Sequence, residues 1–168
     1  MRLKVLGAFG SDGQGQRPSA FLVDDRVLID AGTVGGALSV PEQTAITHAL
    51  ISHAHLDHTV GLAFLTDSLA MVAPERSVTA CSIAPVIDTL RTHCYNDALW
   101  PDFTAIPTRE NPVLKLRVLP EEGEARVPTG GGGRRLERGA REPGLEGSLL
   151  AVGAGLHVGP HTGRAPGA

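Results

Sequence analysis

The first 120 residues alternate between segments with strand-like and helix-like hydrophobic patterns. Short apolar runs bounded by polar or turn-forming residues predict strands, and they occupy residues 2–9, 21–23, 27–29, 45–52, 77–81 and 113–119. A helix is expected over residues 58–66. A second helix is predicted by apolar residues at helical spacing from Ile83 to Cys94, with Ser82 as its N-cap. Strands that alternate with helices favour an α/β domain.

The second and third predicted strands are separated by a short turn. Asp24 and Asp25 lie between the apolar runs 21–23 and 27–29, which predicts a β-hairpin. The third strand ends in Asp30-Ala31-Gly32, where the glycine allows the backbone to turn sharply.

The composition changes after residue 120. From Glu121 to Ala168 there is no aromatic residue and no isoleucine, and the segment holds 13 of the 21 glycines. Such a segment can bury little apolar surface against the entropy of ordering its backbone. We therefore expect residues 1–120 to form part of a domain and residues 121–168 to form an irregular or disordered Gly/Arg-rich tail. One hypothesis for this tail is a shift of reading frame near residues 120–130.

Charge and hydropathy exclude several classes of protein. With 15 basic and 18 acidic residues the net charge is −3, which argues against a nucleic-acid partner. No apolar run approaches the roughly 20 residues that span a bilayer, so no membrane association is expected. The start of the chain lacks the features of a signal peptide. A cytoplasmic location follows as the expectation, with Cys81 and Cys94 as reduced thiols.

The densest cluster of candidate chemistry is His53-Ala54-His55-Leu56-Asp57-His58, directly after an apolar strand. In extended backbone, residues two apart point the same way, so His53 and His55 can reach one point and Asp57 continues that side. His58 would then serve a second, neighbouring point. Imidazole and carboxylate ligands suit zinc and similar divalent ions. The alternative is a structural role for these residues, with Asp57 as an N-cap.

Other polar residues are weaker candidates. Asp30 could orient a ligand histidine from outside the metal shell, or could be an ordinary turn aspartate. A structural role is favoured for His48, whereas His93 could be structural or contact a substrate. The segment 96–107, with the only tryptophan, could shape a pocket or simply pack. No substrate-binding residue is assigned.

These residues and their surroundings resemble a known family. The hexad His53–His58 resembles the metal-binding motif of the metallo-β-lactamase superfamily. Three segments resemble its class II 3′,5′-cyclic-nucleotide phosphodiesterase branch more closely: FLVDDRVLIDAG (21–32), ITHALISHAHLDHTVGLAFLTDS (46–68) and LRTHCYNDALWPDFTAIP (90–107). The resemblance covers residues 2–120.

The resemblance implies a four-layer αββα sandwich, of which this chain would hold the N-terminal half. It also implies two divalent ions, zinc first and manganese or iron as alternatives. His53 and His55 would bind the first ion, and Asp57 and His58, the implied catalytic residues, would bind the second. A hydroxide between the ions would then attack a cyclic nucleotide, most simply cyclic AMP, in line to give the 5′-nucleotide.

The chain departs from the family after residue 120. Family members continue with a third histidine for the first metal, a bridging aspartate and a last histidine for the second metal. Here no aspartate follows Asp102, and the later histidines, His157 and His161, have no matching surroundings. We therefore expect an incomplete phosphodiesterase with weak or no activity. The alternatives are another hydrolase of the superfamily, such as a tRNA 3′-end nuclease or an esterase, and a non-catalytic metal-binding fragment. A homo-oligomer is left open.

Overall fold

The computed structural model describes residues 2–120 as one six-stranded sheet with helices. Met1 and residues 121–168, with the expected tail, lie outside the described residues. The strands follow each other across the sheet in chain order: β1 (Leu3–Gly7), β2 (Ala20–Val23), β3 (Val27–Ala31), β4 (His48–Leu50), β5 (Val78–Ser82) and β6 (Leu114–Val118). The first three strands pair antiparallel, and β3 to β6 pair parallel. Each predicted strand is present.

The predicted hairpin is formed by β2 and β3. Val23 pairs with Val27 across the turn. Asp24 and Asp25 adopt φ values of 47° and 57°, in the left-handed region. Two consecutive left-handed residues are typical of the tight hairpin turn whose twist matches that of the strands, and aspartate tolerates this conformation better than most residues.

The helices differ in extent from the sequence prediction. They are α1 (Val40–Thr44), α2 (Leu56–Val72) and α3 (Ala84–Thr89), the last continuing into a π-helical turn at Leu90–Cys94. Helix α1 was not predicted, although Ser39 and Glu42 form a capping pair at its start. Hydrogen bonds from Ser39 hold the pKa of the Glu42 carboxyl at about 2. The prediction of Ser82 as an N-cap was wrong, because α3 begins after Ile83 and the Ser82 hydroxyl donates to the carbonyl of Ile51.

Most of the core lies between the sheet and the helices. Its largest fully buried side chains include Leu22 and Leu28 from the hairpin and Leu62, Leu65 and Leu69 from α2. Helix α2 packs against β3, and this packing places the N-terminal part of the helix at the carboxyl end of that strand.

The opposite face of the sheet carries a second, smaller cluster. Its buried members are Val23, Val27, Leu50, Cys81 and Leu119, and none of them belongs to a helix of the described segment. The described residues thus supply one sheet and the helices on one side of it, which are two layers of the expected four-layer sandwich. No helix in residues 2–120 is long and apolar enough to cross a membrane.

Candidate metal centre

The candidate site lies where the parallel strands β3 and β4 end at the same edge of the sheet. Ile29 of β3 pairs with Leu50 of β4, so the residues that follow them emerge side by side. After β4, Ile51 still donates its N–H to the carbonyl of Cys81. The chain then runs as a short loop to His55, whose extended backbone (φ −66°, ψ 149°) makes it the N-cap of α2. Asp57 is therefore not the N-cap and lies in the first turn.

Three of the four predicted ligands form one group. His53, Asp57 and His58 each offer a ligand atom, and these atoms all lie within 4.8 Å of one another. The rings of His53 and His58 are 4.1 Å apart between centroids, and Nε2 of His58 lies 3.3 Å from Oδ2 of Asp57. All three side chains are half-buried, so they are accessible from solvent and partly shielded by protein.

His55 occupies a different position. Its ring contacts that of His53 edge-on, with centroids 4.6 Å apart, but it does not join the three-residue group and is exposed. The two-residue period of extended backbone predicts His53, His55 and Asp57 on one side of the chain and His58 on another. The structure instead brings His58 beside His53, because α2 begins at Leu56 and the two-residue period of extended backbone ends there.

Asp30 supports the three-residue group through a hydrogen bond to His58. Its backbone adopts φ 54°, and its side chain is buried, with 6% of the residue exposed. The carboxylate accepts the N–H of Ser52 at 2.8 Å and Nδ1–H of His58 at 2.7 Å. Because Nδ1 of His58 is bonded to Asp30, the free Nε2 of that ring faces Asp57. This is the geometry by which an outer carboxylate orients a ligand histidine.

The electrostatics of the group suit a cation. Burial, followed by the neighbouring His58 and His55 rings, lowers the pKa of His53 below its ordinary value. His53 is therefore neutral at pH 7, and the neutral imidazole is the form that binds metals. Asp57 adds a carboxylate at the positive N-terminal end of α2. Two imidazoles and one carboxylate match the donors that zinc uses in proteins, so the residues present fit a divalent ion.

Two glycines allow α2 to approach the end of β3 closely enough to form this group. A Cβ on Gly32 would lie 1.9 Å from the carbonyl oxygen of Asp57, and a Cβ on Gly61 would lie 2.6 Å from that of Ala31. Gly10, in the loop after β1, lies beside the carboxylate of Asp57, with 3.6 Å between its virtual Cβ and Oδ2. The first turn of α2 is thus held between two backbone segments.

The weaker candidates lie outside the three-residue group. Nδ1 of His48 is 3.0 Å from the hydroxyl of Thr47, and burial lowers its pKa. His93 is exposed in the π-helical turn. Trp100 packs edge-on against Phe64 of α2, with centroids 5.5 Å apart, which gives the segment 96–107 a packing contact.

The two cysteines are free thiols, as expected. Burial raises the pKa of both thiols, so they are protonated and are poor metal ligands at neutral pH.

Ser52 was not singled out from the sequence. Its hydroxyl lies within hydrogen-bonding distance of both Asp30 and His53. A serine directly before a histidine has no periodicity that would reveal this contact. The only available indication was its position at a strand end beside two candidate ligands.

Comparison with known proteins supports the resemblance. Residues 40–122 match the sequence model of the cAMP phosphodiesterases class-II family. The chain is 38% identical over 74 residues to 3′,5′-cyclic-nucleotide phosphodiesterase 1 of Saccharomyces cerevisiae, which covers 44% of this chain and 19% of that protein. It is 35% identical over 77 residues to the 3′,5′-cyclic-nucleotide phosphodiesterase of Schizosaccharomyces pombe, covering 46% and 21%. The match thus spans about a fifth of the length of these relatives.

One solved structure shares the fold of the described residues, and a second is more distantly similar. The crystal structure of unliganded yeast PDE1 aligns with a TM-score of 0.56 and 21% identity, over 71% of this chain and 51% of that one. The metallo-β-lactamase fold protein YhfI from Bacillus subtilis aligns with a TM-score of 0.47 and 13% identity, over 79% and 60%. The expected α/β class is confirmed, and the described residues share the fold of yeast PDE1. Residues 40–122, just under half of the chain, are thus similar to the class-II cAMP phosphodiesterases.

Proposed function

We propose that this chain carries the N-terminal half of the active site of a metal-dependent phosphodiesterase that hydrolyses 3′,5′-cyclic nucleotides, with cyclic AMP as the substrate. One observation carries the proposal. The ligand atoms of His53, Asp57 and His58 converge within 4.8 Å, and they do so inside the segment 40–122 that matches the family.

Each residue of the site has a role in this proposal. His53, Asp57 and His58 hold a divalent ion, and His55 supplies a further imidazole next to His53. Asp30 orients the ring of His58. When bound, the ions polarise the phosphoryl oxygens and generate a nucleophile from water at neutral pH. Asp57 and His58 would be the catalytic residues, as the family resemblance implies, and their place in the same group supports this role.

The finer features of the proposal rest on chemistry rather than on the fold. Zinc is the preferred ion because two imidazoles and a carboxylate are typical of its sites, and manganese and iron are the alternatives. A site for two ions follows from the resemblance. The net charge of −3 supports a substrate that is not a nucleic acid.

The first test is the affinity of the chain for zinc. His53→Ala should weaken zinc binding by more than about 100-fold, because even the loss of an outer partner of a ligand costs about 10–100-fold. Competition with a fluorescent zinc chelator measures the affinity. His93→Ala is the matched control, since His93 is exposed and outside the group, and it should bind zinc like the wild type. Equal affinities for both variants would exclude the metal site.

The second test concerns the substrate. Zinc-loaded chain should bind 3′,5′-cyclic AMP in calorimetry, and the metal-free chain and His53→Ala should not. A single-stranded RNA ending in a tRNA-like 3′ end serves as the competing ligand. Tighter zinc-dependent binding of the RNA would favour a nuclease of the same superfamily over the phosphodiesterase.

A further inference from the structure

Ser52 lies between the buried carboxylate of Asp30 and the ring of His53. Its Oγ is 2.8 Å and 2.9 Å from the two oxygens of Asp30, and 3.0 Å from Nδ1 of His53. Its backbone N–H also donates to Asp30, at 2.8 Å, which fixes the serine over the carboxylate. The side chain thus connects a residue of β3 to the first residue of the metal-binding hexad.

The protons available in this contact determine which group donates each hydrogen bond and which group accepts it. A carboxylate can only accept hydrogen bonds, and a serine hydroxyl has a single proton to donate. Ser52 therefore donates to Asp30. Its oxygen then has only lone pairs left for His53, so Nδ1 of His53 must carry the proton and donate to Ser52. The ring is left with an unprotonated Nε2.

We infer that Ser52 is a positioning residue that holds His53 as the tautomer protonated at Nδ1 and presents its Nε2 to the metal ion. This inference rests on the proposed metal site and adds a residue to it. Ser52 accepts the Nδ1 proton of His53 through its hydroxyl oxygen, and Asp30 accepts the Nδ1 proton of His58 through its carboxylate.

A single buried carboxylate then orients two ligand rings by two different routes. Oδ2 of Asp30 takes the Nδ1 proton of His58 at 2.7 Å, whereas Ser52 Oγ is 3.5 Å from that nitrogen. The shorter contact assigns the proton of His58 to Asp30 and leaves Ser52 for His53. Both rings are therefore protonated at Nδ1, and in both rings Nε2 is the nitrogen left for the metal ion.

The exposure of Ser52 sets the size of the effect. Ser52 is exposed, unlike Asp30, so water can partly replace its hydroxyl. We therefore expect Ser52→Ala to weaken zinc binding by about 10-fold, the lower end for an outer partner of a ligand. For the same reason, the substitution should leave the core and the folding of the chain unchanged.

The test uses the full chain with three variants and two measurements. Ser52→Ala removes the hydroxyl, Ser52→Thr retains it, and Ser68→Ala is a control in α2. Zinc affinity is measured by chelator competition. The ring tautomer of His53 is measured in the metal-free chain by long-range ¹H–¹⁵N correlation at about pH 8, where imidazoles are neutral.

The wild type, Ser52→Thr and Ser68→Ala should show His53 protonated at Nδ1 and similar zinc affinities, and Ser52→Ala should show a mixture of tautomers and weaker binding. An unchanged tautomer and an affinity within twofold of wild type in Ser52→Ala would overturn the inference. Failure of the proposed function looks different: His53→Ala would then leave zinc binding unchanged, while the metal-free tautomer would still report on Ser52.

Discussion

Loaded with zinc, the 168-residue chain should hydrolyse cyclic AMP no faster than its own His53→Ala variant. The reason is the number of ligands. A catalytic zinc normally has three protein ligands and a water, and the hexad offers four side chains to the two ions that the family resemblance implies. His53, Asp57 and His58 would give one ion three ligands, and only His55 of the hexad would remain for the second ion, which would therefore lack a full set.

The remainder of the sequence does not supply the missing ligands in a recognisable form. In-line displacement at a two-metal site uses ions about 3.5–4 Å apart, which the family resemblance assigns to a bridging aspartate. No aspartate follows Asp102 in this chain. His157 and His161 lie outside the described residues and lack the surroundings of the family ligands. The chain should therefore bind metal better than it turns over substrate.

The measurement is the release of 5′-AMP from cyclic AMP by zinc-loaded and manganese-loaded protein. Wild type and His53→Ala are compared at equal concentration, and the yeast phosphodiesterase serves as the positive control. Robust metal-dependent hydrolysis that His53→Ala abolishes would contradict the prediction. Such a result would mean that residues after 120, or a second copy of the chain, complete the site.

The sheet could be predicted from the sequence because its strands are short apolar runs with clear turn residues between them. The helices were harder to predict. The predicted helix 58–66 was too short, because in the structure the helix begins at Leu56 and continues to Val72. Leu69 is buried against the sheet beyond the predicted end, so tertiary packing determines the end of the helix.

The site could be predicted in its residue types but not in its grouping. Four ligand-type residues in six positions indicate metal chemistry without any structure. That His53 groups with His58 and not with His55 depends on where α2 begins and on how closely it approaches β3. Asp30 was a candidate because it lies at the end of a predicted strand, in the sequence Asp30-Ala31-Gly32. The contact of Ser52 with Asp30 joins residues 22 positions apart, beyond the reach of any local pattern.

The close approach of α2 to β3 leads to the last prediction, that Gly32→Ala destabilises the chain by at least about 3 kcal/mol, the upper end of the usual cost of overpacking. The added methyl group would lie 1.9 Å from the carbonyl oxygen of Asp57 and 2.7 Å from Cβ of Pro18. The first contact is with helix backbone, which cannot rotate away as a flexible side chain could. Relief requires the first turn of α2 to move off the end of β3.

This movement would also disturb the proposed metal site, because Asp57 and His58 lie in that turn and Asp30, which orients His58, lies in β3. Gly32→Ala should therefore lower both the zinc affinity and the free energy of unfolding of the chain. Gly35→Ala is the matched control: its Cβ would meet no described atom within 4 Å. That substitution should leave stability unchanged or raise it by about 0.4–1 kcal/mol, through the unfolded state. Urea unfolding followed by circular dichroism gives the free energies of unfolding, and chelator competition gives the zinc affinities. Equal stabilities for the two alanine variants would mean that the position of α2 does not depend on the close contact at Gly32. The contact would then not be what brings Asp57 and His58 beside Asp30.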